Sequence, residues 1–131
     1  PLHSSAASDV YKRQFIMNDK HERSFGEMVD IMTLLRIKLK RCQNDEDYKI
    51  ISSELNIIKT NYPDLCKEDI LFHELSEANH TLCDMKAKIR EKSQKEEFDN
   101  QYVQYADWIR VTNEKRQDLI KMINDKYKSK V

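Results

Sequence analysis

The chain has 131 residues, equal numbers of basic and acidic side chains at 23 each, one Gly and two Pro. That length suits one domain, and the scarcity of turn-forming residues argues against a multi-stranded β fold. The zero net charge lacks the basic surplus that binding to a nucleic-acid backbone requires.

The first fourteen residues, PLHSSAASDVYKRQ, are small and polar and carry no periodicity. Ser4 to Gln14 resembles the translation of a transposon-based sequencing adapter, a scar of the kind metagenomic sequences carry. Residues 1–14 are therefore expected to be a non-native, disordered tail, excluded from fold reasoning. The native frame is expected to begin at or upstream of Phe15, with Met17 a candidate start. Setting aside Asp9, Lys12 and Arg13 leaves 21 basic and 22 acidic residues, so the charge balance persists.

The remainder, 15–131, reads as a single helical domain with helices near 24–43, 45–61, 67–95 and 99–128. In the first, Ser24 and Glu27 form an S-x-x-E capping box. Phe25–Met28–Met32–Leu35–Leu39–Cys42 lie three and four apart, and further apolar residues occupy most other faces, which predicts the most buried helix. The KLKR cluster suits its C-terminus. The second helix follows Asn44 or Asp45 as cap and carries Tyr48–Ile51–Leu55–Ile58–Tyr62 on one stripe; Pro63 ends it. YPDLCKED reads as a loop. The third helix has the stripe Leu71–Leu75–Ala78–Leu82–Met85–Ile89. SQKEEFD turns the chain into the fourth, whose stripe runs Phe98–Tyr102–Tyr105–Ile109 and resumes at Leu119–Ile123. Such stripes pack helix along helix. The expected fold is all-α: two antiparallel helical hairpins forming an elongated bundle with coiled-coil-like packing.

The fourth stripe is interrupted at Thr112 and Arg116. A cation inside a packing seam is costly unless paired, so Arg116 should meet a carboxylate, with Glu27 or Asp30 on the first helix as partner and Asn113 beside it. That layer reads either as a structural register device or as a small polar pocket for an anionic or sugar-like ligand. The aromatics Phe98, Tyr102, Tyr105 and Trp108 read as core at this spacing, with Trp108 at the edge of the stripe where a second subunit or a partner could border it.

No constellation for metal, cofactor or catalysis accompanies these helices. Glu77 and His80 form one E-x-x-H, but a di-iron bundle needs a second, and His73–Glu77 reads H-E-x-x-E rather than the zinc-protease order. Cys83 lies one turn from His80 with nothing else to support acyl transfer. Cys42, Cys66 and Cys83 lack paired or zinc-like spacing, which fits a reduced, cytoplasmic setting, with Cys42 a small core residue. No apolar run is long enough to span a membrane.

SFGEMVDIMTLLRIKLKR, LSEANHTLCDMKAKIREK, EFDNQYVQYA and TNEKRQDLIKMIN together resemble an uncharacterised family of small all-helical proteins, a domain of unknown function found in bacteria, phages and large viruses. The match rests on Ser24, Gly26, Glu27, Asp30, Thr33, Ile37 and Lys38, then Asn79, Leu82, Ile89, Arg90 and Lys92, then Phe98, Asp99, Asn113 and Arg116. Cys83, Lys86, Ala87, Ser93 and Glu114 depart from its pattern. The resemblance implies a compact helical protein, with a thin link to glycan biosynthesis, and no known activity. The expected function is a non-enzymatic interaction or scaffold module, as a homo-oligomer or with a protein partner. The alternatives are an accessory protein that binds a ligand at Arg116, Asn113, Glu27 and Asp30, or an enzyme using the same layer.

Overall fold

Ser24 opens the first helix. Its hydroxyl accepts from the Glu27 amide at 3.1 Å and donates to the Glu27 carboxylate at 3.1 Å, so the carboxylate meets the cap hydroxyl rather than the cap amide. In the computed structural model, which describes residues 23–127, helix α1 then spans Phe25–Arg41. The adapter-like tail, the candidate start and position 128 of the expected last helix lie outside the described residues. Helix α2, Asp45–Asn61, is capped reciprocally: the Asn44 amide oxygen accepts from the Asp47 N–H at 2.7 Å and its NH2 donates to the Asp47 carboxylate at 2.8 Å.

The segment expected as a plain loop is a 3-10 turn, Pro63–Cys66, which drives Leu65 into the core at 1 % exposure. Helix α3 spans Ile70–Gln94, three residues later than the sequence suggested. Asp69 is its cap, extended at φ −146°, accepting from the Leu71 amide at 2.9 Å. The inward residue of the first turn is Phe72, with Leu71 half-buried, because Phe72 meets Phe25 and Tyr127.

The turn after α3 is a Schellman motif. The Glu97 amide donates to the Lys92 carbonyl at 2.9 Å, the Glu96 amide to that of Ser93 at 3.1 Å, and Glu96 takes φ 57°. The Lys92 ammonium holds both Asp99 oxygens, at 2.9 and 3.1 Å, while Asp99 caps helix α4, Asn100–Tyr127, through the Tyr102 amide.

The result is an all-α bundle of four helices in two hairpins, with no strand among the described residues. Helix α1 is central, packing on α2, α3 and α4, as the apolar residues on most of its faces favour. Its Val29 and Met32 are fully buried in the core with Ile58 of α2, Leu75 of α3 and Ile123 of α4. The chain's one glycine, Gly26, lets α1 meet α4 at backbone distance. A Cβ there would lie 2.5 Å from the Ile120 carbonyl oxygen, and the Gly26 amide donates to the Asn124 side chain at 2.7 Å.

Helices α3 and α4 hold 25 and 28 residues against 17 in α1, so at 1.5 Å per residue the long hairpin outruns α1 by more than roughly 10 Å. The buried residues of α4 are Thr112, Leu119, Ile120 and Ile123, so none of its first twelve residues is buried. This corrects the aromatic expectation: Phe98 is 64 % and Trp108 52 % exposed, and Tyr102 and Tyr105 are half-buried. Their stripe faces α3 alone, since α1 is too short to cover it.

Candidate functional site

The interrupted seam of α4 is where the expected site falls. Arg116 points at α1 and grips Asp30 with both edges of a fork: Nε donates to Oδ1 at 2.9 Å and Nη2 to Oδ2 at 2.6 Å. Its third nitrogen donates to the Asn113 side chain at 3.1 Å. Asp30 is 5 % exposed. Bidentate geometry of this kind is the strongest form of the ion pair. The Asp30 hydrogen bond raises the Arg116 pKa further, outweighing the burial that opposes it, so the guanidinium is permanently charged.

Two residues absent from the expected set complete the layer. Asn79 of α3, 1 % exposed, donates to Asp30 at 2.9 Å and to the Thr33 hydroxyl at 2.8 Å, and Thr33 donates to the Asp30 carbonyl at 2.8 Å. The signal was present: Phe72–Leu75–Asn79–Leu82 is a three-four spacing with one polar member, the same interruption that marks Arg116. Of the expected residues, Arg116, Asn113 and Asp30 come together. Glu27 does not; it is exposed at the helix start, with Ser24 and, at 3.8 Å, Arg23. Chemically the layer is a clamp closed on Asp30. Both Asp30 oxygens are occupied, and one acceptor, the buried Asn79 Oδ1, lacks a hydrogen-bond partner.

A second cluster ties the start of α3 to α4. Besides capping α3, the buried Asp69 accepts from Lys126 at 2.7 Å and from the Tyr127 hydroxyl, both at the end of α4. Burial would raise the Asp69 pKa, but hydrogen bonds from Lys126, Tyr127 and the Leu71 amide overcome it and bring the value from 3.8 down to about 2. The same contacts push Lys126 and Tyr127 upward, each chiefly through its hydrogen bond to Asp69. Beside it Phe25 stacks on Tyr127, ring centres 4.7 Å apart.

Among the described residues, clefts open beside α1. One, about 430 Å³, lies between α1, the 3-10 turn and α3, and takes in His73 and His80. A second, about 410 Å³, lies at the C-terminal end of α1 against α2 and α3. Cys42, expected in the core, is half-buried at its edge and lines this second cleft with Cys83. Among the described residues no three His, Cys, Asp or Glu side chains converge as a metal site, and no helix is long and apolar enough to cross a membrane. In comparisons with protein-family models, curated proteins and solved structures, nothing matches this chain.

Proposed function

We propose that the chain is a non-enzymatic helical interaction module, working in a reduced cytoplasmic setting, that self-associates through the outer half of the α3–α4 hairpin. One observation carries this reading. From Asn100 to Val111, three turns of α4 hold no buried residue, yet they carry Val103 at 61 %, Trp108 at 52 % and Val111 at 48 % exposure, with Phe98 just before them. A two-helix hairpin is an unfinished layer, because each amphipathic helix needs a surface beyond one neighbour. A second copy supplies it, since two such hairpins make a four-helix unit.

The polar layer supports a structural role beside this, since the Arg116–Asp30 fork fixes which face of α4 meets α1.

Sedimentation velocity over a range of concentrations tests the proposal. Trp108 is the chain's one tryptophan, so its fluorescence should move to shorter wavelength as the dimer forms. Trp108→Glu with Val111→Lys should give a monomer with unchanged helical content. A wild-type chain that stays monomeric up to roughly millimolar concentration, where even weak specific association is visible, refutes it.

A further inference from the structure

The second cleft has a charge pattern that the fold does not account for. Lys38 and Arg41 reach it from α1, Lys86 and Arg90 from α3, and Asp47 is the one carboxylate in its lining. Arg41 is held by Asp84 at 2.7 Å, and Asp47 is engaged by the Asn44 amide at 2.8 Å. Among the described residues no carboxylate pairs with Lys38, Lys86 or Arg90. Cations at the end of α1 complement its dipole, but that effect fades within one turn. Lys86 stands two turns before the end of α3 at Gln94, so the dipole does not explain it. Like charges sharing one cleft repel and add nothing to stability.

We infer that this cleft is a binding site for a phosphate-bearing small molecule. Arg41 and Arg90 offer planar forks and Lys38 and Lys86 compact charges, the two kinds of donor that phosphate oxygens take. Arg41 is already oriented by Asp84, so less freedom is lost on binding. The floor is apolar: Ile37 and Ile51 are buried, and the reduced thiols of Cys42 and Cys83 flank them. A volume of about 410 Å³ is within the range of small-molecule sites. The ligand is therefore an anionic head group carrying a compact apolar or ring portion. The inference does not depend on self-association, because the cleft is built within one chain.

The thiols make the test direct. Cys42 and Cys83 line the cleft, whereas Cys66 is exposed and lies outside it. Pyrophosphate probes the charge alone, and ATP probes charge with a ring. Each is titrated by calorimetry at low salt, and alkylation of the three cysteines by iodoacetamide is followed by mass spectrometry. Either probe at ten times its dissociation constant should slow alkylation of Cys42 and Cys83 about tenfold by occupancy, leaving Cys66 unchanged. Lys86→Glu and Arg90→Glu, both at exposed positions, should abolish heat and protection, and Lys121→Glu on α4 should not. Should either variant unfold by circular dichroism, Lys86→Ala and Arg90→Gln replace it. No heat with both probes and equal alkylation in their presence overturns the inference. So does a Lys121→Glu loss as large as that of Lys86→Glu, which would mark general charge attraction.

Discussion

Replacing Arg116 with Ala removes both hydrogen bonds of the fork, at 2.6 and 2.9 Å, from a carboxylate whose side chain is 8 % exposed. Breaking a buried ion pair from one side costs about 3–5 kcal/mol, because the remaining charge has lost its partner without regaining water. Arg116 itself is 24 % exposed, so its vacated volume opens toward solvent, and Asn79 still donates to Asp30. The lower end applies, about 3 kcal/mol. In a domain of this size that lowers the midpoint of thermal unfolding by roughly 12 °C. Asp30→Asn combined with Arg116→Met removes the charge from both sides. Such a replacement is close to neutral where shape is kept, so the pair should recover at least half of the single-variant loss. Urea unfolding followed by far-UV circular dichroism measures all three proteins. An Arg116→Ala cost below about 1 kcal/mol, the worth of an exposed pair, refutes the clamp, as does a double variant no more stable than the single one.

Other outcomes follow from the same geometry. Asp69 has its pKa lowered from 3.8 to about 2 by the bonds that hold it to α4, despite its burial. A depressed carboxylate contributes stability that is complete above its unfolded pKa and is lost as pH falls through the folded one. The stability gap between wild type and Asp69→Asn should thus be about 2 kcal/mol above pH ~4 and should close near pH ~2; a gap independent of pH contradicts the assignment. Gly26→Ala sets a methyl group 2.5 Å from the Ile120 carbonyl, and overpacking of this kind costs about 1–3 kcal/mol, measurable as a lower urea midpoint. Glu96→Gly relieves a left-handed residue at φ 57° and should stabilise the chain by about 1 kcal/mol, seen as slower unfolding and a higher midpoint.

Sequence periodicity reveals which residues share a face of a helix, and for α1 that sufficed. Apolar residues on most of its faces foretold a central position, and the interruption at Arg116 foretold a carboxylate partner on α1. Periodicity does not say whether a neighbour covers the face. The stripe from Phe98 to Ile109 has the spacing of a core stripe, and the reason it stays half open is the length of a different helix. Adjacent apolar residues hide register in the same way: Leu71 and Phe72 both qualify, and the choice of Phe72 depends on Phe25 and Tyr127 from the far ends of the chain. Asp69 is recognisable as a cap, but its grip on Lys126 joins residues 57 apart, which no local signal carries. Leu65 was hidden by its proline-containing turn, since a short 3-10 segment has no stripe to detect.

Because α2 rests chiefly on α1 and the 3-10 turn, the molecule has a seam along which it can come apart in stages. Peeling α2 away uncovers Ile51, Leu55 and Ile58 while the clamp at Asp30 and the anchor at Asp69 stay shut. The amides of α2 therefore have a cheaper route to solvent than those of α3 and α4. A proteolytic nick after Tyr62 would leave α2 tethered to α1 through residues 42–44 alone, free to swing out while the Asp30 clamp still fastens the long hairpin to α1.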